Sequence, residues 1–281
     1  MMSTGTDTQT RPPKTARTWG WQIIAAALTV AALAAASVTV WIWLRGPVHL
    51  TTLTRAGVHT VRSGHVTREA PARLVVSIGS GDLTVRPGPA GQVSEQRVLT
   101  WTGREPVVTE SFAGGTLTIT SRCPSAPHRT CGADITLSVP PGVAVQAQLA
   151  SGDVAVSGLR GPVSLAASSG DLRLSRLSGP LRLRSDSGDI VGEALASAQV
   201  DAEDNDGDVS LAFAAVPARV SATSNAGDVS VDVPRRAGGY RVRAATAAGD
   251  RSVSVRPDPA SAHAIIATSD AGDVAVAYSQ S

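Results

Sequence analysis

Along most of this chain the apolar residues fall at every second position, in short runs that stop at a Gly-Asp pair and resume after it. Val154 and Val156, then Val163 and Leu165, form one such unit; Leu172 and Leu174, then Leu181 and Leu183, repeat it 18 residues later. Strict alternation is the period of a strand with one buried face, so each unit predicts two short strands. Leu159 and Leu177 match between the strand pairs, and Gly161-Pro162 matches Gly179-Pro180. Glycine, serine, aspartate and proline at those points predict the corners.

The Gly-Asp pair occurs eight times, at Gly81-Asp82, Gly152-Asp153, Gly170-Asp171, Gly188-Asp189, Gly207-Asp208, Gly227-Asp228, Gly249-Asp250 and Gly272-Asp273. From Gly152 the glycines are separated by 18, 18, 19, 20, 22 and 23 residues. A period near twenty with strand alternation predicts an all-β chain of stacked strand repeats, a β-solenoid or β-helix-like coil. Seven rungs are expected from Val143 to Ala277, and the last, ending in Ala275-Val276-Ala277-Tyr278, would leave an open edge suited to dimerisation or adhesion. In Gly249-Asp250-Arg251 an arginine takes the aliphatic position, which predicts a distorted rung. Between Pro87 and Pro141 less regular runs, Gln96 to Trp101, Val107 to Phe112, Thr116 to Thr120 and Asp134 to Val139, read as strands of the same sheet system with longer hairpin excursions.

The N-terminus follows another pattern. Ile23 to Leu44 is a run of 22 residues without charge, long enough to cross a bilayer. Trp19 and Trp21 flank one end and Trp41 and Trp43 the other, as interfacial anchors do. Arg11, Lys14 and Arg17 precede the span and Arg45 alone follows closely, which directs the N-terminus to the cytoplasm. The expected order is a disordered cytoplasmic tail at 1–18, one transmembrane helix at 19–45, a linker at 46–70 and an extracytoplasmic β-repeat domain at 71–281. A signal peptide cut near Ala34-Ala35-Ala36 is the rival reading, and it exports the same domain.

Composition sharpens this picture. The 281 residues are 42% hydrophobic but only 3% aromatic, so the core is built from Val, Leu, Ile and Ala. The net charge of +2 equals that of the first 18 residues; the remainder is near neutral, without a nucleic-acid footprint. Cys123 and Cys131, in an oxidising compartment and close in sequence, predict a disulfide.

Candidate chemistry is sparse. His49, His59, His65, His128 and His263 are scattered, and no nucleophile elbow, zinc-protease helix or phosphate loop occurs, so neither catalytic nor metal residues are expected and no cofactor is implied. The repeated aspartates read as acceptors for turn amides; a cation-binding ladder is the alternative. Arg160, Arg173, Arg176, Arg182 and Arg184 alternate with leucines, which places most of these side chains on the outside of the stack. Aligned with Asp201 and Glu203 of the next unit, Arg182 and Arg184 suggest cross-rung ion pairs. The alternative role is a polymer site formed by Arg173, Arg182 and Arg184.

The run Asp134-Ile135-Thr136-Leu137-Ser138-Val139-Pro140-Pro141-Gly142, followed by Ser151-Gly152-Asp153-Val154 and Ser169-Gly170-Asp171-Leu172, resembles the bacterial putative adhesin domain family of unknown biochemical function. The likeness covers about residues 70 to 277. It implies a domain held behind one membrane span or a signal peptide, with an adhesin role; together with the outward arginines, the expected reading is an adhesin or envelope scaffold acting through its surface, with an anionic envelope polymer or envelope protein as partner. An accessory sensor of envelope stress is the second reading, a polysaccharide-acting enzyme a remote third, and a bactofilin-like polymer is disfavoured by export. The family supplies no catalytic residues.

Overall fold

The computed structural model describes residues 51–55, 58–67, 70–124 and 130–279. The expected tail, the transmembrane segment, its cleavage alternative, His49 and His128 lie outside them. Among the described residues there is no helix long and apolar enough to cross a membrane, and all regular structure is β.

Each repeat forms a rung of two strands joined at its Gly-Asp corner. The first strand enters a ten-stranded sheet and the second a twelve-stranded sheet. The rungs pair β3 (Arg73–Ile78) with β4 (Leu83–Pro87), β7 (Thr116–Arg122) with β8 (Cys131–Val139), and β9 (Ala144–Leu149) with β10 (Val154–Ser157). They continue through β11 (Val163–Ala167) and β12 (Leu172–Ser175), β13 (Leu181–Ser187) and β14 (Ile190–Leu195), and β15 (Gln199–Asp206) and β16 (Val209–Phe213). The last three are β17 (Arg219–Ala226) with β18 (Val229–Val233), β19 (Arg241–Ala248) with β20 (Arg251–Val253), and β21 (Ala264–Ala271) with β22 (Val274–Tyr278). All rung-to-rung pairings are parallel, with one register shift between β14 and β16 at Gly192 to Leu195, and Val145, Val163, Leu181, Val200, Val220 and Ile265 stack in register as one buried row. Rows of this kind from both sheets meet in a single aliphatic core. That is why each rung reads as alternating apolar positions in the sequence.

Four more strands extend the N-terminal end: β1 (Thr51–Arg55), β2 (Val58–Thr67) and β5 (Val93–Trp101) continue the twelve-stranded sheet antiparallel beyond β8, and β6 (Val107–Ala113) lies antiparallel on β7. The segment expected as a linker thus contributes two strands. Cys123 and Cys131 form a disulfide, with Cα atoms 5.9 Å apart, at the corner of the β7–β8 rung.

Stacking order departs from chain order at both ends. β3 and β4 lie between the β7–β8 and β9–β10 rungs. At the other end β21 pairs with both β17 and β19, and β22 with both β18 and β20. The rung ending in Tyr278 is therefore internal, which corrects the expectation of an open edge there; the edge rung is β19–β20. Arg251 is exposed in that terminal rung. An arginine replaces the aliphatic because no further rung covers it.

Candidate binding face

The Gly-Asp corners form two coupled columns. A Cβ on Gly170 would lie 2.2 Å from the carbonyl oxygen of Gly152, and one on Gly272 equally close to that of Gly227. Gly170 also has a φ of 116°. The corner is therefore closed to side chains for steric and conformational reasons together. Each following aspartate accepts, on Oδ1, the backbone N–H of the aspartate in the adjacent rung. This ladder runs Asp134, Asp82, Asp153, Asp171, Asp189, Asp208, Asp228, Asp273, Asp250, with donor distances of 2.7–3.1 Å. Asp134 joins it without a Gly-Asp pair: Ala133 occupies the glycine position, where its side chain packs with Leu99 and Trp101 instead of meeting another corner. Among the described residues no three His, Cys, Asp or Glu side chains converge in a metal-binding arrangement.

The arginines divide between the faces. Arg173 lies on the twelve-stranded sheet, bonded to Asp171 Oδ2 at 2.6 Å and to Asp153 Oδ2 at 3.2 Å, where it offsets the charge of the ladder. Arg182 and Arg184 lie on the ten-stranded sheet, in register with Asp201 and Glu203. Arg184 pairs with Glu203 at 3.1 Å. Arg173, Arg182 and Arg184 thus form no single site, because successive strands of a rung face opposite ways.

The outer face of the ten-stranded sheet carries instead a concavity of about 710 Å³ running across the strands. Three arginines line it: Arg73 on β3, Arg182 on β13 and Arg219 on β17. Between them stand Gln146, Ser164 and Gln199, with Ser221 beside Arg219 on β17, and Asp201 is its one acidic lining residue. Among the described residues Arg73, Arg182 and Arg219 join no ion pair, whereas Arg97, Arg173 and Arg184 each do. Sequence reading identified Arg182 but missed Arg73 and Arg219. The signal lay in their strand position: each directly precedes the first core residue, Leu74 or Val220, of a strand in the ten-stranded sheet, where the 18-residue units carry Pro162 and Pro180.

Two buried carboxylates lie away from this face. Glu95 on β5 is 3% exposed; Arg97 Nε approaches its Oε1 to 2.7 Å, off the hydrogen-bond axis, and Arg97 also bonds Glu110 of β6 at 3.1 Å. Burial raises the Glu95 pKa and Arg97 opposes that rise. The trio joins the two sheets at the N-terminal end of the stack. Asp204 on β15 is also 3% exposed, without a hydrogen-bond partner. Burial pushes its pKa up to about 6; the backbone N–H groups of Asn205 and Asp206 oppose this without reaching bonding geometry. Among the described residues the histidines do not converge: His59 stacks on Trp101 and His263 Nδ1 lies 2.7 Å from the Pro217 carbonyl.

Residues 132–280, just over half of the chain, match the Toastrack DUF4097 family. The chain belongs to that family. No curated protein matches it. Among solved structures it is similar to a putative adhesin from Bacteroides fragilis, at 12% identity and a TM-score of 0.41, over 78% of this chain and 97% of that one. A putative adhesin from Parabacteroides distasonis gives 13% and 0.41 over the same shares. A putative cell adhesion protein from Clostridium sporogenes gives 9% and 0.31, over 78% of this chain and all of that one. The Toastrack repeat in this chain comprises the β9–β22 stack together with the β8 strand that leads into it.

Proposed function

We propose that this protein is a membrane-tethered, adhesin-type module that holds an anionic envelope polymer on the outer face of its ten-stranded sheet. The 22-residue apolar run anchors it with the N-terminus in the cytoplasm and the β domain outside, and it acts by binding, without catalysis. The observation that carries this reading is the groove with three arginines and one acid, none of the arginines committed to an internal ion pair. An unpaired guanidinium presents a planar fork that matches carboxylate and phosphate geometry.

Binding of residues 46–281 to cell-wall fractions across a salt series tests it, beside an Arg73, Arg182 and Arg219 triple alanine variant. Binding that weakens with salt and disappears in the variant supports the proposal, because screened, exposed charges respond to ionic strength. Binding indifferent to both, or none by a folded domain, rejects it.

A further inference from the structure

The spacing of the arginines points beyond charge alone. Neighbouring strands in a sheet lie about 4.8 Å apart. In the order β3, β9, β11, β13, β15, β17, β21, β19, Arg73 is three strands from Arg182, and Arg182 is two from Arg219. Arg241 and Arg243 on β19 lie two strands further on, exposed on the same outward rows, Arg241 in the row of Arg219 and Arg243 in the row of Arg182. The positive charges therefore recur about every 10–15 Å along the stack axis, with Gln146 and Ser164 between Arg73 and Arg182, and Gln199 and the acidic Asp201 between Arg182 and Arg219. Duplex nucleic acid, with one charge per about 1.7 Å of axis, would place most of its phosphates over neutral side chains. The amide and hydroxyl groups between the arginines suit hydroxyls of a ligand instead.

We propose that the groove takes a linear, sparsely charged acidic polysaccharide, lying across the strands, with its carboxylates on Arg73, Arg182 and Arg219 and its neutral sugars over Gln146 and Gln199. This rests on the binding face proposed above and names its ligand class. The parallel register makes the stack a ruler: a longer ligand gains one contact each time it reaches a further arginine.

Full-length protein in phosphatidylcholine nanodiscs, titrated with hyaluronan oligosaccharides of increasing length, tests it, since these carry a carboxylate on alternate sugars. Affinity should rise stepwise with length, and Arg182→Ala and Arg219→Ala should each weaken the long oligomers about tenfold, the size of one charge-assisted contact. Arg173→Ala, on the opposite sheet, should leave binding unchanged. Equal binding of polyphosphate at matched charge, insensitivity to the two substitutions, or binding only to nanodiscs of anionic lipid each overturns the inference. Cell-wall fractions run in parallel separate the two levels: if they bind through the same arginines and hyaluronan does not, the ligand class falls while the face stands. If neither binds, both fall.

Discussion

At the residue scale, one position in each Gly-Asp rung admits no side chain. Gly170 adopts a left-handed φ and faces the Gly152 carbonyl, so Gly170→Ala must push two corners apart as well as strain its own backbone. A loss of about 3 kcal/mol or more is expected in urea unfolding, whereas Ala133→Gly, at the end of the column, should lose only about 1 kcal/mol of packing and flexibility. Asp204 makes the second residue-scale case. Its column holds Ser185, Ser224 and Ser269, whose hydroxyls each donate to a corner glycine carbonyl; an ionised carboxylate has no proton to donate there. Because the folded pKa is raised from 3.8 to about 6, the folded state holds its proton more tightly than the unfolded chain. The destabilisation is complete above pH 6 and relieved as pH falls toward 4, so stability should increase on acidification through that window. Asp204→Ser should remove this slope and stabilise the protein by about 2 kcal/mol at pH 7, read from unfolding midpoints between pH 4 and 7.5.

At the element scale, edge strands decide whether a stack ends or continues into another molecule. The terminal strands β19 and β20 expose Arg241, Arg243 and Arg251, and charge at an edge discourages pairing with a second chain. Arg251→Val would restore the aliphatic row of Val274, Val229 and Val209 at that edge. Concentration-dependent association by light scattering is the expected result, and a variant as monodisperse as the parent would show that Arg251 is not the guard. Such detail explains what sequence conveyed. Alternation and the Gly-Asp period announced the rungs and even the Arg184–Glu203 register, because parallel in-register stacking makes alignment of repeats equivalent to alignment in space. The proposed binding face is only partly legible in the sequence, since Arg73 and Arg219 lie in units whose spacing departs from 18 residues, and grouping Arg173 with Arg182 and Arg184 joins residues that lie on different sheets.

On the scale of the whole molecule, the chain does not build its stack in order. After β18 it omits one place, forms β19 and β20, and returns through residues 254–263 to fill the gap with β21 and β22. No periodicity could report this, because β19 and β21 carry the same alternation and either would satisfy β17. The choice rests on termination: only the rung with Arg251 and half-buried Val242 and Ala244 tolerates an uncovered side, whereas Ile265, Val274 and Val276 are buried. Tyr240, fully buried with its hydroxyl donating to the Pro234 carbonyl at 2.6 Å, fixes the connection that passes over the omitted place. Deletion of residues 264–281 therefore removes an internal rung instead of trimming an end, and β19–β20 loses both of its strand partners. In hydrogen exchange, protection should disappear from residues 241–253 and weaken at β17 and β18, while β9 to β14 stay protected as units that contact only their neighbours. Retained protection at 241–253 would mean that the outer rung closes onto β17 and β18 by itself, and that the interposed order is a preference of the full chain and not a requirement of its edge.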